Sequence, residues 1–228
     1  MKYILNDLQK LWLKELGISE YFLKTKNINK SAKCSQQYLK ENSNKLKILQ
    51  ETVNHCNKCQ LNRFRKNTVF GIGLIYKPEV FIIGEAPGEN EDLMGLPFVG
   101  KSGKLLDNML KTINLSRDKN IFITNIIKCR PQNNRNPKED EIQSCINYLH
   151  EQIKIIQPKK ILILGKIAAN NIIKKYEKIS NIRGKIYNYE ISKSYKIPIV
   201  VTFHPSYLLR YPEEKKLALL DLILLNKI

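Results

Sequence analysis

The sequence predicts a three-layer α/β fold, with a central four-stranded parallel sheet between layers of helices and a short helical extension at the N-terminus. Three observations predict it. Four apolar runs of strand length recur after residue 77. Helical stretches with an apolar stripe near period 3.6 separate them, the rhythm of a parallel sheet. The chain has 228 residues and is 43% hydrophobic, enough for one buried core.

In chain order, residues 4–16 place Ile4, Leu8, Leu11, Trp12 and Leu16 at helical spacing before Gly17 stops the pattern, which predicts a short amphipathic helix. Thr25–Asn44 is polar and lysine-rich and reads as a flexible linker. The expected division is therefore an extension over 1–45 and one domain over 46–228. Strands are expected at 79–84 (EVFIIG), 120–127 (NIFITNII), 159–165 (KKILILG) and 196–203 (KIPIVVTF). GKLLDNMLKTI, DEIQSCINYLHEQIKII and KIAANNIIKKY supply helices between them, and PEEKKLALLDLILL supplies one at the end. Residues 183–196 (RGKIYNYEISKSYK) resemble a small hairpin inserted before the last strand.

The formal charge of +18, from 39 Lys+Arg against 21 Asp+Glu, attracts polyanions and makes nucleic acid the first candidate partner, although excess lysine also makes a solvated surface. No run approaches the ~20 apolar residues of a membrane span, and the first residues lack a secretory pattern, so a cytoplasmic monomer that does not enter membranes is expected. In a reducing compartment the odd cysteine set, Cys34, Cys56, Cys59, Cys129 and Cys145, argues for metal ligation over disulfides. Cys56 and Cys59 form a C-x2-C pair, while Cys129 and Cys145 stand apart. Scattered thiols of this kind suit an iron-sulfur cluster better than zinc, though His55 keeps zinc open and Cys145 also fits a core position. Cys34 falls in the linker and reads as a bystander.

In an open parallel sheet, ligands bind beyond the carboxyl ends of the strands, where this chain puts its unusual loops. Gly84-Glu85-Ala86-Pro87-Gly88 follows the first strand and permits close backbone approach, but matches neither the Walker loop nor the dinucleotide fingerprint. Phe98, between Pro97 and Gly100, breaks apolar periodicity and can either stack on a base or fold onto the core. His204-Pro205-Ser206 closes the last strand and directs an imidazole toward the crevice. Tyr207, Leu208, Leu209 and Arg210 then read as a leucine wedge beside a phosphate-binding arginine, or as a helix start packing inward.

Taken together, GEAPGENED, PFVGKSG, TNIIKCRPQNNRNP and HPSYLLR, with Cys56, Cys59, Cys129 and Cys145, resemble the family 4 uracil-DNA glycosylases over about residues 46–228. The resemblance implies a uracil-DNA glycosylase-like sheet of four parallel strands and a structural [4Fe-4S] cluster on the four cysteines. The implied reaction is monofunctional hydrolysis of the uracil N-glycosidic bond, leaving an abasic site for base excision repair. It also implies that Phe98 stacks on uracil, Asn125 reads its Watson-Crick edge and His204 donates toward O2 of the departing base. Backbone groups at Glu85 and Ala86 close the pocket. Glu85 and Glu91 resemble acidic positions important in the family, with Glu91 expected to orient water or shape the pocket, and Asn134 to position water or phosphate. Ser206, Leu208, Leu209 and Arg210 are expected at the DNA. The rival expectation is a non-catalytic zinc- or cluster-containing nucleic-acid-binding module.

Overall fold

The computed structural model describes residues 26–192 and 195–228; the helix expected at 4–16 lies outside them. The first described element is α1, Lys26–Asn54, so most of the stretch read as a flexible linker is helical. Composition misled here: lysine, glutamine and glutamate are polar but good helix formers, and no Gly or Pro interrupts residues 26–54. From Asn42 the helix belongs to the compact unit that carries the sheet. There Leu46 and Val53 are buried in the core and the Asn42 amide donates to Ile155 O at 3.2 Å.

The remaining elements are β1 (Ile72–Gly73), β2 (Val80–Gly84), α2 (Glu89–Met94), α3 (Lys101–Lys111), β3 (Ile121–Asn125) and α4 (Glu139–Ile156). They continue with β4 (Lys160–Leu164), α5 (Lys166–Ile173), α6 (Ile179–Ile182), β5 (Ile186–Ser192), β6 (Tyr195–Thr202), α7 (Pro205–Arg210) and α8 (Lys215–Lys227). The sheet order is β1-β3-β2-β4-β6-β5. The central four strands, β3, β2, β4 and β6, are parallel and are those expected.

Alternation along these strands builds the layers. One face carries Phe81, Ile83, Phe122, Ile161, Ile163, Ile199 and Val201, in one cluster with Ile142, Ile146, Leu149 and Ile153 of α4. The opposite face carries Val80, Ile82, Ile121, Ile123, Leu162, Leu164 and Val200, clustered with Leu106 and Leu110 of α3 and Leu222 and Leu225 of α8.

Two antiparallel edge strands enlarge the sheet to six. β1 has two residues, too few for a hydrophobic pattern to reveal. β5 pairs with β6 itself, so the expected hairpin is not inserted before the last strand but uses it as its second arm. Its alternating exposure suits a strand that covers the edge of β6.

Register brings the strand ends level: Gly84 pairs with Asn125 and Leu164 with Thr202. The loops that follow therefore open at one edge of the sheet. Among the described residues, no helix is long and apolar enough to cross a membrane.

Candidate active site

A cleft of about 750 Å³ occupies that edge, lined by all four post-strand loops. Its floor is a meeting of Gly84, Asn125 and Phe98. A Cβ at Gly84 would lie 2.3 Å from Asn125 Oδ1 and 2.6 Å from Phe98 Cζ, so only glycine lets the two side chains converge there.

Asn125 ends β3 and is 1% exposed, with no hydrogen-bond partner for Oδ1 among the described residues. A buried amide oxygen left unpaired costs roughly 1–3 kcal/mol, so this one is a ready acceptor for a ligand.

Phe98 holds a left-handed backbone conformation (φ 54°), unfavourable for an aromatic residue and maintained by its surroundings. Arg117 supplies them: Nη1 donates to Pro97 O at 2.8 Å, Nη2 to Phe98 O at 2.6 Å, and Nε to Asp107 Oδ1 at 2.6 Å. Gly103 in α3 lets the helix pass directly under this turn, since a Cβ there would stand 1.7 Å from Phe98 O.

His204 faces the Phe98 ring, with centroids 5.7 Å apart. Its Nδ1 accepts from the Ser206 backbone N–H at 3.2 Å and lies 2.8 Å from Ser206 Oγ. A backbone N–H can only donate, so Nδ1 carries no proton and the neutral ring bears its hydrogen on Nε2. Burial, reinforced by Arg210 and opposed by Glu91, pushes the imidazole pKa down to about 4. At neutral pH the residue is an uncharged Nε2–H donor. Ser206, expected at the DNA, is the residue that fixes this tautomer.

The two acidic residues differ sharply. Glu91 Oε1 accepts from the N–H groups of Val99 (2.9 Å) and Gly100 (3.0 Å), and Oε2 from Gly88 N–H (3.1 Å). Its carboxylate stitches the Gly88 turn to the Phe98 loop. Glu85 lines the cleft, and burial raises its carboxyl pKa. Ala86 and Gly88 complete that wall.

On the opposite wall Asn134 is left-handed (φ 54°), and its Oδ1 accepts from Arg130 Nε at 2.8 Å. Arg130 also pairs with Glu89 at 3.5 Å, linking the second loop to the first.

The HPSYLLR segment resolves into two faces. Leu208 is fully buried, clustered with Phe203 and Ala218, as the inward-packing alternative for this segment expects. The α7 turn rotates Leu209 outward, 44% exposed, next to exposed Arg210.

A separate small pocket brings Cys56, Cys59, Cys129 and Cys145 together with Arg65, Lys128 and Tyr148. All four thiols are free, and Arg65 Nη1 donates to Cys129 Sγ at 3.1 Å. As placed, no three His, Cys, Asp or Glu side chains among the described residues are grouped closely enough to hold a metal ion. The donor set nonetheless fits an iron-sulfur cluster: four cysteines from three parts of the chain line one pocket, without histidine or carboxylate in the lining.

The family model of the uracil DNA glycosylase superfamily matches residues 70–225. The chain belongs to that superfamily. Among curated relatives, the type-4 uracil-DNA glycosylase of Saccharolobus solfataricus is 47% identical over 75% of this chain and 80% of its own length. That of Sulfurisphaera tokodaii is 46% identical over 75% and 79%, and that of Pyrobaculum aerophilum 41% over 73% and 86%. These relatives identify the type-4 branch.

Sequence reasoning missed several residues of this glycosylase domain. Arg117 sits in a loop, with no signal that it clamps Phe98. Lys128 has no signal of its own in the sequence, yet is fully buried. Arg65 lies beyond the C-x2-C pair and carries no motif.

Proposed function

We propose that the chain excises uracil from DNA by hydrolysing the N-glycosidic bond, and that the cleft at the sheet edge is the site of that reaction. The observation that carries this reading is the buried, unpartnered Oδ1 of Asn125 beside the Phe98 ring. Uracil presents an N3–H donor next to an O4 acceptor. An asparagine amide pairs with both, its Oδ1 accepting and its Nδ2 donating, while an aromatic face holds the ring.

Bond cleavage leaves negative charge on uracil and positive charge on the sugar. A neutral Nε2–H on His204 aimed at uracil O2 donates to the leaving anion and so stabilises it. Such a donor is preorganised, since Ser206 fixes its tautomer before substrate arrives. Extruding the base costs a few kcal/mol of unstacking, offset by the Phe98 stack and by Leu209 filling the vacated space. Arg210 meets a phosphate. The +18 charge brings the duplex to the protein.

Of the two acids, Glu85 orients the attacking water, because its carboxylate faces the cleft without a competing hydrogen bond among the described residues. Glu91, engaged by three backbone N–H groups, is a positioning residue for the loop. Glu85→Gln is expected to lower the single-turnover rate about 100-fold or more. Glu91→Gln, which replaces an acceptor by a donor at one end, is expected to weaken substrate binding as well as rate by letting the Phe98 loop drift. A Glu85→Gln variant at full rate would remove Glu85 from the water's path.

Cys56, Cys59, Cys129 and Cys145 would hold a [4Fe-4S] cluster whose contribution is structural, tying the segment after α1, the loop after β3 and α4 together. The purified chain is expected to be brown and to contain iron and acid-labile sulfide, and Cys145→Ala to lose the colour along with much of its thermal stability. A colourless wild-type protein containing only zinc would contradict the assignment, because Zn²⁺ has no visible absorption. The sheet-bearing unit takes in residues 42–228, and the enzyme is read as a cytoplasmic monomer.

Incubating the purified protein with a single-uracil oligonucleotide and then with alkali tests the reaction itself. Strand cleavage at the uracil position is expected; an intact strand overturns the proposal.

A further inference from the structure

The floor of the base pocket is held by a buried lysine that the chemistry above does not use. Lys128 is 1% exposed and lies three residues after Asn125. Its Nζ donates to Asn125 O, Thr124 Oγ1 and Gln152 Oε1, each at 2.7 Å. All three partners can accept, and the Thr124 hydroxyl spends its own hydrogen on Phe70 O at 2.7 Å. Three acceptors around one nitrogen match the three hydrogens of an ammonium group. Gln152 closes the cage, its Nε2 donating to Phe70 O at 2.8 Å.

The consequence falls on one peptide unit. At the end of β3, the Asn125 carbonyl is bound by Lys128, while the N–H of the same peptide, on Ile126, donates to Gly84 O at 3.0 Å. Both polar ends of the peptide plane are therefore fixed. The Asn125 side chain branches from the residue that carries this carbonyl, and its Oδ1 has no partner among the described residues. Removing Lys128 would leave the carbonyl buried without its charged donor and free the plane to turn. A misplacement of about 1 Å at a reacting geometry can cost around 100-fold in rate.

We propose that Lys128 is a positioning residue for base recognition, fixing the Asn125 peptide so that its side-chain amide meets uracil in a ready-made orientation. This rests on the assignment of Asn125 as the base-reading residue, and the experiment separates the two. Lys128→Met, Asn125→Ala and the double variant are compared as iron-loaded proteins in single-turnover excision of uracil, together with binding to abasic-site DNA.

Lys128→Met is expected to slow excision about 100-fold while leaving abasic-site affinity unchanged. In the Asn125→Ala background the same substitution should have no further effect, because the residue it positions is already gone. Equal losses in both backgrounds, or full activity of Lys128→Met, would overturn the proposal. Full activity of Asn125→Ala would instead sink the reading of Asn125. Should Lys128→Met fail to fold, Gln152→Met, which opens the cage but keeps the ammonium, carries the same cycle. A smaller loss that vanishes on the Asn125→Ala background is expected, and a loss that persists there overturns the proposal.

Discussion

His204→Ala is expected to excise uracil at least about 100-fold more slowly than the parent chain under single turnover, with binding of uracil-containing DNA retained. The substitution removes the side-chain donor assigned to uracil O2, while leaving Phe98, Asn125 and the basic surface in place. The wild-type pH profile carries a related signature. Because the imidazole pKa is pushed down to about 4 by burial, His204 should contribute no inflection to the rate near ~6.5, the ordinary histidine value.

Stability follows from the same shift. Above about pH 6.5 the ring is neutral in both folded and unfolded chains and exacts no penalty. As pH drops, the unfolded chain takes up a proton that the folded chain does not accept until about pH 4, so folding is progressively disfavoured through that window. The loss is on the order of 3 kcal/mol and is absent in His204→Ala. An unchanged acid-unfolding profile in that variant would show that the ring is not held neutral by its surroundings.

Asn125→Ala is the second large expectation. A pocket built to pair with polar edges loses far more than a hydrophobic one when a partner disappears, and discrimination of about 10⁴-fold can rest on such pairing. The rate on uracil should fall by roughly three orders of magnitude. Free uracil should cease to inhibit, while affinity for abasic-site DNA is kept. Measuring inhibition by uracil alongside excision separates base reading from DNA binding. If Asn125→Ala still binds free uracil as wild type does, another group reads the base.

Much of this was legible in the chain because the relevant signals are local. The four parallel strands announce themselves as apolar runs, and their ends bring Glu85, Asn125 and His204 to one edge of the sheet. What stayed hidden depends on contacts distant in sequence. Thr25–Asn44 gave a polar composition that a linker and a solvated helix share, so helix propensity without Gly or Pro had to decide it. β1 is two residues long, and β5 became recognisable as a sheet edge only beside β6. Leu208 and Leu209 are adjacent and chemically identical; only the turn of α7 sends one into the core and the other outward. The sequence marked Glu91 as acidic, but its three backbone donors come from two separate turns. Lys128 carries no motif of its own, and its acceptors lie on β3 and α4.

The central physical claim is that uracil leaves as an anion held by an uncharged donor. The direct measurement is the ¹⁵N chemical shift of uracil N1 bound with abasic-site DNA in the iron-loaded enzyme at neutral pH. N1 should appear deprotonated in wild type and protonated, or unbound, in His204→Ala. A protonated N1 in the wild-type complex would contradict the account.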